Sequence, residues 1–205
     1  MSNEAPRLAV VMDYQNIHLT AHGRFAPYQT PVHEVLIHPL LFAEQLISVR
    51  AQRQMDERQK LAVLTDVFVY RGQPGNLQQP NLYRVTQAQK AEWTRDRRVH
   101  VTYRSLKYAP NRPPQEKGVD VLVAINLVRL AEVGQHDVVV LAAHDTDLEP
   151  ALEMAAERGR SKIETSGWEG ERRLRVPGRS LWHTTLGGEQ LVASRDRKDY
   201  SAYLT

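Results

Sequence analysis

The chain has 205 residues, 41% of them hydrophobic and 25% charged, enough for one α/β or all-β domain, or for a domain with a tail. Its 27 Lys and Arg stand against 24 acids, a formal net charge of +3 that by itself supports no assignment to nucleic acid. There is no cysteine, which excludes disulfide frameworks, thiol nucleophiles, Cys-ligated zinc and iron–sulfur clusters together. The longest apolar runs, 121–125 and 138–143, fall far short of the ~18 residues of a membrane helix. Residues 1–7 are polar, without a leader-like stretch. The expectation is a cytoplasmic soluble protein without a membrane partner, and a homo-oligomer is compatible with it.

In chain order, residues 8–12 form a continuous apolar run suited to a strand buried on both faces. A polar, Pro- and His-bearing loop is expected over 14–37, then a helix over 38–57 with Pro39 in its first turn. A second strand falls within 61–70, a helix within 77–95 and a third strand over 99–103. Residues 107–115 carry three prolines and read as an irregular loop. An apolar helix over 118–132 ends at Gly134, followed by a strand over 136–143, a helix over 148–158 closed by Gly159, and a fifth strand over 161–165. Strands alternating with helices predict a three-layer α/β/α sandwich around a mostly parallel five-stranded sheet. The rhythm breaks after Gly167, so the expected organisation is one domain over 1–167 and a basic extension over 168–205.

Three acids stand out by position. Asp13 follows the first strand, and Asp145 and Asp147 follow the fourth. Open parallel sheets bind ligands beyond the carboxyl ends of their strands, where strand order reverses. If the first and fourth strands are neighbours, these carboxylates meet in that crevice. Asp120, opening the helix before the fourth strand, can point to the same place. Gathered carboxylates repel one another unless a cation intervenes, and all-oxygen donors suit Mg²⁺ or Mn²⁺. A cation so held activates water and stabilises a phosphoryl transition state. Simpler roles exist for each acid. Thr146 and Glu149 fit a capping box with Asp147 serving the helix dipole, Asp120 fits an N-cap, and Asp145 fits a turn. Asp13 is the hardest to dismiss in this way, since an unbroken apolar strand leads straight into it. His144, His18 and His22 are further candidates as base or ligand, each opposed by a purely structural reading. The chain has no Walker A motif, dinucleotide fingerprint, nucleophile elbow or H-E-x-x-H pair.

These residues resemble a known family. Asp13-Tyr14-Gln15-Asn16 is similar to the opening D-x-x-N motif of NYN-domain proteins, relatives of the PIN-like nucleases. Glu116-Lys117-Gly118-Val119-Asp120 resembles the family's K-G-V-D helix start, and His144 to Pro150 its S-G-D-S-D-F-x-P element. All three lie in order and in register between residues 8 and 165. The resemblance implies a PIN-like sandwich and a divalent-metal-dependent ribonuclease, with endonucleolytic cleavage expected. It places Asp13, Asp120, Asp145 and Asp147 in an acidic metal site, with Asn16 orienting a carboxylate, water or phosphate. The chain departs from the pattern at Ala143-His144, where the family has Ser-Gly, and at Asn126, where many members carry a further Asp. Those departures motivate the alternative of an NYN-like module that holds RNA or a protein partner without cutting.

Charge is unevenly distributed. Residues 95–117 carry seven Lys/Arg against two acids, 118–169 four against ten, and 170–205 seven against four. An acidic segment is thus bracketed by basic ones. Arg104, Lys107, Tyr108, Arg112 and Lys117 are the expected RNA contacts, with Tyr103 and Tyr108 as stacking faces and Arg71 as a further cation. Arg172, Arg173, Arg175 and Arg179, with Trp182, fit either RNA binding or packing of the extension.

Overall fold

Two uninterrupted apolar runs set the centre of the molecule. In the computed structural model, which describes residues 4–55 and 61–204, they form β1 (Arg7–Asp13) and β6 (Val138–Ala142), paired in parallel. Leu8, Val10 and Met12 face one core layer with Val138, Val140 and Ala142, while Val11, Val139 and Leu141 face the other. Burial on both faces is why neither strand alternates with polar residues. Each such aliphatic side chain contributes about 1.5–3 kcal/mol by leaving water.

Around this pair the sheet has six strands, in the order β3-β2-β1-β6-β7-β8, every neighbouring pair parallel. The others are β2 (Val63–Gln73), β3 (Val99–Ser105), β7 (Lys162–Trp168) and β8 (Trp182–Leu186). One face carries α1 (Tyr14–Phe25), α2 (Pro39–Met55), α3 (Pro80–Trp93) and α6 (Gly188–Ala193). The other carries α4 (Val119–Val133) and α5 (Glu149–Arg158). The α/β/α sandwich is as expected. The sixth strand is the correction: β8 comes from the expected extension and pairs with β7 in register from Glu164 opposite Trp182 to Trp168 opposite Leu186. Gly134 closes α4 in the left-handed region at φ 68°, donating its N–H to Leu130 O. Residues 56 and 57 of the helix expected over 38–57 lie outside the described residues. Among the described residues no helix is long and apolar enough to cross a membrane.

Two expected loops are ordered instead. Residues 14–25 are helical, and 32–35 form a single 3₁₀ turn. Asp13 caps α1, and Tyr14, Ile17, His18 and Ala21 supply a buried stripe at helical spacing whose signal His18 weakens. The proline-rich 107–115 stretch folds as a hairpin of β4 (Lys107–Ala109) and β5 (Arg112–Gln115). Asn111 turns it at φ 56°, a conformation asparagine tolerates. Pro113 and Pro114 are accommodated because β5 has a strand on one side only.

His18 is 3% exposed, and its Nε2 donates to Val32 O at 3.2 Å. Burial, reinforced by the Arg71 charge, lowers its pKa to about 4. Since the folded value lies below the unfolded one near 6.5, its contribution is complete above pH 6.5 and is lost as pH falls toward 4. We expect the melting temperature to fall over that interval, and His18→Gln, which keeps a donor for Val32, to flatten the fall. Equal pH profiles for the two proteins would contradict this.

Candidate active site at the ends of β1 and β6

From β1 the chain runs outward through β2 to β3, then returns to place β6 on the other side of β1. The crevice between the carboxyl ends of β1 and β6 is therefore the switch point. Asp13 ends β1 there, 6% exposed, and Oδ1 accepts the Asn16 N–H at 3.1 Å. Burial is the main force raising its pKa from 3.8 to about 6. The Asn16 N–H opposes that shift, and the charges of Glu116, Asp145 and Asp120 add to it.

Asp145 follows β6 and caps the 3₁₀ turn Thr146–Leu148, its Oδ1 accepting the Asp147 N–H at 3.0 Å. The Thr146–Glu149 capping box does not form, because Glu149 Oε1 instead accepts the Arg175 N–H at 3.0 Å. Asn16 spans the crevice: its Oδ1 accepts the His144 N–H at 2.7 Å, tying the loop after β1 to the loop after β6. Asp13, Asn16, Asp145 and Glu116 line one open cavity of about 280 Å³.

Asp120 sits in the first turn of α4, exposed, and is not the cap. Gly118 holds that place at φ 77°, with Arg104 Nε 2.9 Å from where a Cβ would stand. The Asp120 charge still acts on Asp13. Asp147 is exposed, outside the cavity lining and outside the charges that act most on Asp13. Among the described residues no three His, Asp or Glu side chains already close on one point as a cation's ligands.

Glu116 is the acid missing from the sequence-based set. Its carboxylate accepts the Gly72 N–H at the end of β2, and burial raises its pKa. A Cβ at residue 72 would collide with it, so glycine there permits the approach. The available signal was Glu116 as the single acid of the basic stretch 97–117.

His144 is engaged at both ring nitrogens. Its Nε2 accepts the Trp168 N–H at 3.0 Å and its Nδ1 donates to Arg172 O at 3.1 Å, which occupies both nitrogens. The ring occupies space left open by Gly167 in β7. We expect Gly167→Ala to destabilise the fold through that clash and His144→Ala to relieve much of the loss. Additive losses in a double-mutant denaturation cycle would contradict the pairing. His18 and His22 likewise donate to the Val32 and Thr30 carbonyls, the latter at 2.6 Å, so their rings serve the loop after α1. At the family departure Asn126, buried in α4, Oδ1 accepts from Arg129 Nη2 at 2.9 Å.

Among the expected RNA contacts, Lys107, Arg112 and Lys117 are exposed on and beside the hairpin. Arg104 is exposed too, with Nε donating to Lys117 O at 2.6 Å. Tyr108 is an anchor: its hydroxyl donates to Gln79 Oε1 at 2.9 Å and accepts the Gly75 N–H at 2.7 Å. Tyr103 is also engaged, donating to Thr86 O at 2.6 Å under the Lys90 ammonium. These bonds fix both rings by their hydroxyls. Arg71 donates to Gln89 at 2.6 Å and lies 4.9 Å from the Tyr14 ring centre.

Comparison with known proteins places this geometry. No curated protein matches the sequence. Among solved structures, a protein of unknown function from Vibrio parahaemolyticus RIMD 2210633 is similar over 92% of this chain and 98% of its own, with TM-score 0.57 and 15% identity, a likeness of fold alone. The family model of the NYN domain matches residues 7–170, a span that holds Asp13, Asn16, Glu116, Asp120, Asp145 and Asp147. The chain belongs to the NYN domain family, within the PIN-like superfamily, whose members are typically nucleases.

Proposed function

We propose that this chain is a divalent-cation-dependent endoribonuclease that hydrolyses RNA phosphodiester bonds. The observation that carries the reading is the Asp13 carboxylate, almost wholly buried at the switch point and under the negative charge of Glu116, Asp145 and Asp120. Such a group is costly to ionise alone, and a hard cation relieves that cost. The donors fit Mg²⁺ or Mn²⁺ in kind, being carboxylate oxygens only. Asp13 and Asp145 would hold the ion from the two central strands, and Asp120 would swing in from α4 to complete the set. Asp147, exposed one turn away, would serve through water. A bound ion would supply Lewis acidity toward a phosphoryl oxygen and a lowered pKa for water.

The chain's own residues supply positioning. Asn16 fixes the separation of the Asp13 and Asp145 loops through the His144 N–H, leaving its NH₂ to meet a phosphate oxygen. Lys107, Arg112, Lys117 and Arg104 line the approach to a phosphate backbone, and Tyr108 holds the hairpin that carries Lys107 and Arg112. The test is cleavage of labelled single-stranded RNA with Mn²⁺, Mg²⁺ or EDTA. Internal cuts that need the ion and vanish in Asp13→Asn support the reading. Equal cleavage by both proteins in EDTA sinks it.

A second reading, an RNA-holding module without cleavage, is favoured by one observation: the acids are not already closed into a ligand set among the described residues. It expects RNA binding that survives Asp13→Asn and no cleavage with either ion.

A further inference from the structure

We propose that residues 172–175, beyond the 170 residues reached by the family match, form a second phosphate-binding arm that carries single-stranded RNA across the acidic crevice. The inference rests on the RNA-directed reading of the site. Its ground is the way this segment is fastened. Arg172 O accepts from His144 Nδ1, and the Arg175 N–H donates to Glu149, so the segment is bonded to both sides of the turn that carries Asp145 and Asp147. Leu174 and Val176, 4% exposed each, pack into the α4–α5 core layer, which fixes the backbone and sends the intervening Arg175 outward.

The arginines of the extension then divide into two kinds. Arg173 Nη2 donates to Thr185 Oγ1 at 3.2 Å, and Arg179 Nη1 donates to Ala156 O at 2.6 Å. Trp182 is likewise engaged, with Nε1 donating to Thr184 Oγ1 and the Lys162 ammonium over its ring. Those residues pack the extension. Arg172 and Arg175 are exposed, and their guanidinium groups make no bond to any described residue. Two free cations on a backbone pinned at the site are suited to phosphate, which guanidinium groups bind bidentately.

Topology sets where the arm lies. The β4–β5 hairpin follows β3 on one side of the crevice, and the 172–175 segment follows β7 on the other, with the Asp13 and Asp145 strand ends between them. An RNA held at both flanks therefore crosses the carboxylates. A strand gripped on one flank only would be free to leave them.

The experiment measures binding of labelled single-stranded RNA in EDTA across a salt series, for wild type, Arg172→Gln/Arg175→Gln and the control Arg179→Gln. Each phosphate contact on a single strand contributes about 0.7 to the slope of log affinity against log salt, so the double variant should lose about 1.4. Arg179→Gln should keep the wild-type slope, and the double variant should melt with wild type. In the cleavage assay the double variant should raise KM with kcat nearly unchanged. A double variant with wild-type slope and affinity overturns the arm while leaving the nuclease reading intact. A wild-type chain that binds no RNA overturns both.

Discussion

Asp13→Asn is expected to lower ion-dependent RNA cleavage by on the order of 10³-fold and, at the same time, to make the protein more stable at neutral pH. The two effects share one cause. Asp13 binds its proton more tightly in the folded chain, at about 6, than in the unfolded one at 3.8. A raised folded value contributes stability below pH 3.8 that is lost as pH rises through 6, so at pH 7 the ionised carboxylate opposes folding. At about 1.4 kcal/mol per pH unit the opposition reaches at most ~3 kcal/mol. Asparagine removes the charge yet keeps an oxygen to accept the Asn16 N–H, so the cap on α1 survives. The melting temperature at pH 7 should rise by several degrees, and the gain should vanish near pH 4. Mg²⁺ or Mn²⁺ should stabilise wild type and leave the variant nearly unmoved, because only the former gains a partner for its charge. A variant that still cuts, or that melts lower than wild type at pH 7, would remove Asp13 from the centre of the site.

The part of this site that follows from sequence follows for a physical reason. Asp13 and Asp145 were legible because each ends a strand buried on both faces, and the parallel-sheet rules say where such ends meet. The D-x-x-N spacing carries further: Asn16 lies one turn from Asp13 along α1, where its N–H reaches the carboxylate. Elements that depend on partners distant in sequence were not legible. α1 hid behind the polar residues of its outer face. The hairpin hid behind Pro110, Pro113 and Pro114, which local propensity forbids in a central strand and an unpartnered edge accepts. β8 is five residues long and mixes Trp, His and Thr, so it becomes a strand only because β7 offers a free edge. Glu116 gains its standing from burial against Gly72, 44 residues away. His144 illustrates the same limit. Its departure from the family's Gly reads as a change at the metal site, yet Gly167 makes the room and the ring joins β6 to the last segment of the chain.

Arg50→Ala is expected to cost about 3–5 kcal/mol of folding stability, which is enough to unfold a marginal domain. Arg50 of α2 meets Glu164 of β7 in a two-bonded pair, Nε to Oε2 at 2.7 Å and Nη2 to Oε1 at 2.9 Å, with Nη1 donating to Gln54 at 2.6 Å. The side chains are 4% and 0% exposed. Removing the arginine leaves a carboxylate inside the fold with only the half-exposed Lys162 ammonium, 3.1 Å away, to oppose it. Replacing both partners, as in Arg50→Met with Glu164→Leu, should cost less than Arg50→Ala alone, because no charge is stranded. The pair also reaches the site through one strand. β7 carries Glu164 at its middle and, at its end, Trp168, whose N–H holds His144 beside Asp145. Loosening β7 should therefore lower cleavage before the chain unfolds globally, a difference readable by comparing activity loss with the tryptophan unfolding transition in denaturant. If Arg50→Ala costs less than about 1 kcal/mol, or the double replacement costs more than the single, the buried pair is not what keeps α2 on β7.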